Sequence, residues 1–258
     1  MKLLVCIKQV MESASQLKIH SDGKRLCTFE STRYEMNPYD ESAVEEAILI
    51  KETVDNTHID VITVGPSHAE DVLRRALGMG ADDGIHIIDN SNDFCPPIRI
   101  ASWISAFAKD RAYDLILTGI MSNDEMNAQT GPMIARILGW PCATAVIKED
   151  LSSDRKSIAI QREIEGGARD VFDISLPCVL TIQTGINTPR YPSLSKVLRA
   201  KKKTFTTIEA SQLETLRPEA VLDRLVLPQK TAQGIVLEGS ALDKSQTLLD
   251  ILESKGLL

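Results

Sequence analysis

Residues 114–140 read DLILTGIMSNDEMNAQTGPMIARILGW, and the fold turns on how this stretch divides. "LILTG" is a short, almost wholly apolar run of the kind that forms a strand buried on both faces of a parallel sheet. "PMIARILGW" spaces its apolar residues as on one face of a helix. Between them lie about a dozen polar or small residues. A strand, a loop and a helix make half of a βαβ unit. In open α/β sheets ligands bind beyond the carboxyl ends of the strands, where a helix N-terminus offers free backbone N–H groups to an anion. Neither a Walker lysine nor a G-x-G-x-x-G pattern is present. Local spacing therefore supports two readings. Thr130 and Gly131 cap a helix opened by Pro132, or the loop cradles a phosphate.

The same alternation extends toward the amino end. "KLLVCI" (residues 2–7) reads as a first strand, and Asn37 and Pro38 stand where the amphipathic pattern "YDESAVEEAILIKE" starts its helix. "IDVITVGP" is strand and turn, "HAEDVLRRALGMG" a helix stopped by glycine, "GIHIID" a strand and "PIRIASWISAFAKD" a helix. This βαβα series predicts an α/β fold with an open, mostly parallel sheet, helices on both faces and right-handed crossovers. Beyond Pro141 the rhythm changes to "ATAVIKE", "SIAIQREIE", "RDVFDIS" and "PCVLTIQT", separated by turn signals, which predicts antiparallel β-hairpins. "GINTPRYPSLSKVLRAKKK" is broken by prolines and reads as an exposed loop leading into a short amphipathic segment. "SALDKSQTLLDILESKG" predicts a terminal helix whose stripe of Leu242, Leu248, Leu249, Ile251 and Leu252 covers this chain or a partner.

Composition narrows the function. Of 258 residues, 43% are hydrophobic, enough for a sizeable core. The formal charge of −7 argues against general attraction to nucleic acid or an anionic membrane. The opening "MKLLVCIKQV" is too short an apolar run for a secretory signal, and no segment is long enough to span a bilayer, so the expectation is a cytoplasmic protein outside the membrane. Cys6, Cys27, Cys95, Cys142 and Cys178 are scattered without C-x-x-C spacing. His20, His58, His68 and His86 lack i, i+4 pairing with one another or with cysteine, so no metal site is expected.

The ordered pieces "KLLVCIKQV", "MNPYDESAVEEAILIKE", "ALGMGAD", "NAQTGPMIARILGWP", "REIEGG" and "LPCVLTIQTGINTPRYPSLSKVLRAKKK" together resemble the beta subunit of electron transfer flavoproteins, from about residue 1 to about residue 210. The last two, in this order and spacing, are the most specific. The resemblance implies an adenine nucleotide alpha hydrolase-like fold. It also implies a nucleotide-binding domain over residues 1–210, with a recognition loop at about 183–204, and a C-terminal arm over 211–258 that wraps an alpha subunit. It further implies a heterodimer whose redox-active FAD is held mostly by alpha, with AMP, or a second FAD in electron-bifurcating relatives, in beta. The positions matching the family's nucleotide site are Cys6, Ile7, Asn37, Pro38, Tyr39, Asp40, Val64, Gly119, Ser122, Asp124, Asn127, Ala128, Gln129 and Thr130. Ile120 departs from the lysine or arginine that such proteins usually carry after the strand glycine, and the tyrosine that some place near the flavin is not found around Ser13. "NDEMNAQTGP" combines Thr130 of the AMP type with Ala128 and Pro132 of the bifurcating type, while "REIEGG" and "AKKK" look more like the AMP-containing carriers.

Leu194 matches the family's anchor, an apolar side chain that enters a hydrophobic pocket of partner dehydrogenases, with Arg190, Tyr191 and Lys196 around it. On the residues alone Leu194 would pack the following helix with Val197 and Leu198. Glu163 is an exposed strand charge by pattern and a contact to the mobile flavin domain by resemblance. Lys201–Lys203 form a local positive edge able to steer acidic partners. The expected function is an electron carrier subunit without bond chemistry of its own, passing electrons from flavin dehydrogenases of acyl-CoA type to a quinone reductase. The alternatives are a bifurcating complex in which FAD bound to beta oxidises NADH, and a stand-alone adenine-nucleotide sensor.

Overall fold

Strand β1 (Lys2–Cys6) shows in five residues how the sheet is sandwiched, because successive side chains point to opposite faces. Leu3 and Val5 belong to one buried cluster and Leu4 and Cys6 to the other. All four are buried. The computed structural model describes residues 1–91, 94–216, 220–228 and 234–258. It divides into two compact units, Met1–Leu225 and Val226–Leu258.

The chain continues through β2 (Gln9–Met11), β3 (Tyr34–Met36), α1 (Pro38–Thr53), β4 (His58–Gly65), α2 (Glu70–Met79), β5 (Asp83–Ile88), α3 (Pro97–Ala108), β6 (Leu115–Gly119) and α4 (Thr130–Leu138). Then come β7 (Cys142–Leu151), β8 (Ser157–Glu163), β9 (Arg169–Ser175), β10 (Cys178–Ile182), α5 (Leu194–Ala200) and β11 (Thr206–Glu209). β2 and β3 form a separate antiparallel pair. The other nine strands form one sheet in the order β11-β5-β4-β1-β6-β10-β7-β8-β9. Helices α1 and α2 pack with Leu3, Val5, Leu115 and Leu117 on one face, and α3 and α4 with Leu4, Cys6 and Ile116 on the other. The expected mostly parallel sheet with helices on both faces is therefore present.

One strand departs from the expected pattern. β10 does not continue the antiparallel run of β7, β8 and β9 but inserts between β6 and β7, parallel to both. All five of its residues are buried. That is the continuous apolar character of a strand covered on two faces, and antiparallel pairing at a sheet edge would have exposed half of it. The short β11 extends the sheet beside β5, where the sequence carries only a weak strand signal.

The winding reverses at β1. From β1 the chain moves outward to β4 and β5, then crosses back to β6 on the other side, so α1 and α4 leave the carboxyl ends of adjacent strands toward opposite faces. Such a switch point opens a crevice between the diverging helices.

The second unit contains α6 (Ala241–Ser254). Ser240 and Asp243 close a capping box at its N-terminus, and none of its residues is buried. Residues 217–219 and 229–233 of the expected arm lie outside the described residues.

A cleft at the reversal of strand order

Beyond the ends of β1 and β6 the first turn of α1 is clamped to both strands by one carboxylate. Asp40 accepts the Lys8 N–H at 2.7 Å on one oxygen and the Gly119 N–H at 3.0 Å on the other. Burial pushes this carboxyl up to about 7, while the two N–H donors pull it down. The approach is so close that a Cβ on Gly119 would lie 2.5 Å from Asp40 Oδ1 and 2.6 Å from Tyr39 Cβ. Only glycine fits there. Asn37 occupies the N-cap position of α1, as expected, but its side chain does not cap. Instead it donates to the Met121 carbonyl at 2.8 Å and accepts the Asn123 N–H at 3.2 Å, holding the loop that follows β6.

That loop runs into α4 with its donors free. Met126 and Ala128 both adopt positive φ of 52°, while Gln129 at the N-cap has right-handed helical geometry. Successive residues of opposite hand form a concave nest of backbone N–H groups. Among the described residues, the N–H groups of Asn127, Ala128, Gln129, Thr130 and Gly131 meet no protein acceptor. Pro132 has none, and the next N–H, of Met133, returns to the Gln129 carbonyl at 3.0 Å. The capping role read for Thr130 and Gly131 is absent. α4 begins at Thr130 without any side-chain cap, which leaves its positive end available. Gly131 lets α4 sit directly on the sheet, since a Cβ there would lie 2.6 Å from Thr181 Cγ2 and 2.8 Å from Thr118 Oγ1.

The cleft opens to solvent and holds a cavity of about 100 Å³. Of the expected nucleotide positions, Cys6, Ile7, Asn37, Asp40, Val64, Gly119, Ser122, Asn127, Ala128, Gln129 and Thr130 line it. Pro38 and Tyr39 lie in the first turn of α1 without lining it, and Asp124 bonds Lys8 at 2.8 Å. Sequence reasoning missed Lys8, Thr118 and Gly131, as well as Pro97, Ile100 and Ile104, which bring an apolar wall from α3. Lys8 could have been suspected from its place just after β1. The α3 residues carry no local signal. A flat aromatic base fits against the apolar wall of Val64, Ile100 and Ile104, and an anionic group fits against the free N–H row, so the residues present suit an adenylate. Burial pushes the Cys6 thiol well above its ordinary range, so it serves as a small apolar lining group and not as a nucleophile.

The expected recognition loop presents Leu194 at 75% exposure and Tyr191 at 88%. Leu194 opens α5, which Ser193 caps. Arg190 is not available to a partner as a free charge. Its guanidinium binds Glu45 at 2.8 Å and Glu52 at 2.6 Å on α1, which fastens the loop to the domain. Lys196 Nζ lies 3.5 Å from the Met79 carbonyl, and Glu163 accepts from Gln183 at 3.4 Å.

At the opposite ends of the strands, His58, Asp60 and Asp83 bring three ligand-type atoms within 4.8 Å of one another, a grouping that spacing between histidines and cysteines did not reveal. His58 Nε2 lies 3.1 Å from both carboxylates, and Asp60 also accepts from Tyr113 at 2.6 Å. These groups satisfy one another. No helix among the described residues is long and apolar enough to cross a membrane.

Comparison with known proteins extends the geometry. The family model described as "Electron transfer flavoprotein domain" matches residues 27–213. The chain is 32% identical over 256 residues to the mitochondrial electron transfer flavoprotein subunit beta of Arabidopsis thaliana, covering 99% of this chain and 98% of that one. It is 32% identical over 265 residues to subunit beta of Bacillus subtilis, covering 99% and 98%. Against subunit beta of Bos taurus the identity is 33% over 242 residues, covering 92% and 93%.

Proposed function

The chain belongs to the electron transfer flavoprotein family as a beta subunit, and we propose that it holds AMP in the cleft between β1 and β6 and docks flavin dehydrogenases through the loop at about 183–204. In this reading it pairs with an alpha subunit, and the C-terminal arm, residues 211–258, wraps that partner. FAD, held mostly by alpha, supplies the electron transfer. The present chain supplies position and recognition.

The observation that carries the nucleotide half of the proposal is the run of five N–H groups from Asn127 to Gly131 without protein acceptors, at the end of a strand beside an apolar wall. Thr130 is half-buried and Gly131 buried, where an N–H is costly unless a ligand or water accepts from it, while Asn127, Ala128 and Gln129 are exposed at the mouth; a phosphate accepts from several such donors at once. AMP then acts as a structural element, cross-linking the β6–α4 loop to the core. The docking half rests on Leu194, an exposed apolar side chain on a loop that Arg190 holds rigid against α1. A small anchored contact of this kind suits a carrier that must bind a dehydrogenase of acyl-CoA type, release it, and then meet a quinone reductase. Glu163, Tyr191 and Lys196 form the remainder of the partner-facing set.

Co-purification with the alpha subunit, followed by extraction and quantification of nucleotides, tests the proposal. One FAD and one AMP per heterodimer are expected. Two FAD and no AMP would replace it with the bifurcating reading, in which a second FAD occupies the cleft and oxidises NADH. A chain that folds and binds nucleotide tightly without any alpha subunit would favour the stand-alone sensor.

A further inference from the structure

The cleft has one basic residue among its described lining, Lys8, and that residue is already engaged. Its backbone is fixed from both sides, the N–H bonding Asp40 at 2.7 Å and the carbonyl accepting the Asn37 N–H at 2.9 Å. The ammonium reaches across to the β6–α4 loop, 2.8 Å from Asp124 Oδ1, 3.3 Å from Glu125 Oε1 and 3.4 Å from Ser122 Oγ. All three charged side chains are about one-third exposed, so the pairings are exchangeable with solvent or with a competing anion. The same loop carries, a few residues on, the row of free N–H donors. Ile120, directly after the strand glycine, contributes no charge.

Resting on the nucleotide reading above, we propose that Lys8 is the residue that neutralises the ligand's phosphate, and that Asp124 and Glu125 hold it in place and limit the site to a single phosphate group. One ammonium faces two carboxylates, so the local balance is negative before any ligand arrives. A nucleoside monophosphate takes up the N–H row and draws Lys8 away from one carboxylate. A second phosphate, lying further toward the mouth, would meet the remaining carboxylate without any further cation. Like charges at such separations disfavour binding, and no basic residue of the described lining offsets them. The site thereby selects by charge count, in addition to the shape of the base.

The test uses the heterodimer stripped of nucleotide, titrated calorimetrically with adenosine, AMP and ADP. The expected wild-type order is AMP tighter than ADP. Lys8→Gln should weaken AMP by about tenfold to a hundredfold, the loss of one charge-assisted bond, and leave adenosine unchanged, while Lys8→Arg retains AMP binding. Asp124→Asn combined with Glu125→Gln should tighten ADP more than AMP. If wild type binds AMP and Lys8→Gln binds it equally well, the role of Lys8 is wrong although the nucleotide reading stands. If the double variant keeps the full preference for AMP, the charge limit is wrong. If Lys8→Gln weakens adenosine as much as AMP, the residue acts on the shape of the loop and not on the phosphate, which also overturns the proposal. If wild type binds no adenine nucleotide at all, the parent reading fails and this one with it.

Discussion

Replacing Gly131 by alanine adds one methyl group at the closest approach of α4 to the sheet. The new Cβ would lie 2.6 Å from Thr181 Cγ2 and 2.8 Å from Thr118 Oγ1, both on short, buried side chains with little room to yield. Restoring an ordinary contact of 3.4 Å requires a displacement of about 0.8 Å, and the helix N-terminus is the part free to move. Overpacking of this size costs about 1–3 kcal/mol, from which the gain of alanine over glycine in a helix, about 0.5–1 kcal/mol, is subtracted. The net loss of about 0.5–2 kcal/mol lowers Tm by about 1–8 °C for a domain of this size. The effect on the ligand is larger. Moving the Thr130 and Gly131 N–H groups by about 0.8 Å takes a hydrogen bond from about 2.9 Å to beyond 3.5 Å, where it contributes little. Loss of one such bond to a charged phosphate weakens binding by about tenfold to a hundredfold. The assay is nucleotide content of the purified heterodimer together with thermal scans at several concentrations of added AMP. A variant that purifies with full nucleotide and melts together with wild type, the difference sought being about 1 °C or more, would refute both the packing argument and the place assigned to the phosphate.

Glu149 and Glu46 face each other between β7 and α1, and Glu149 Oε2 is buried without a partner among the described residues; burial and then the neighbouring Glu46 push its carboxyl up to about 8. The folded chain therefore holds a proton that the unfolded chain releases near its ordinary carboxyl range, so this group's stabilising contribution is complete at low pH and is lost as pH rises through about 8. Glu149→Gln should flatten the decline of Tm between acid and mildly alkaline pH, and an unchanged slope would remove the group from the account. Arg190→Ala strips the partner from Glu45, whose side chain is 5% exposed, and should cost about 1–3 kcal/mol, with faster proteolysis at the loop. Equal melting and equal cleavage would mean that the clamp contributes nothing. Leu194→Ala, at an exposed position, should leave Tm within about 1 °C of wild type and slow electron uptake from the dehydrogenase, whereas unaltered transfer rates would eliminate it as the anchor.

Periodicity carried the architecture. The apolar runs of β1, β4, β5 and β6, and the helical spacing of α1 to α4, are properties of segments about five to sixteen residues long, so each element could be read where it stands. The start of α1 at Asn37 and Pro38 was equally legible. The same patterns could not say that Cys178–Ile182 would be pulled between β6 and β7, because a short apolar run looks alike in a hairpin and in a buried parallel strand.

Amino-acid order alone thus determined a βαβ rhythm and the places where helices start, and family resemblance pointed to the loop proposed to hold a nucleotide. Tertiary structure decided which groups meet there. Asp40 reaches Lys8 across 32 residues and Gly119 across 79, Lys8 reaches Asp124 across 116, and Arg190 reaches Glu45 across 145. Side-chain periodicity is set by the backbone geometry of neighbouring residues and so is written locally. Contacts of that range exist only once strand order has brought distant chain ends side by side, and no local pattern encodes them.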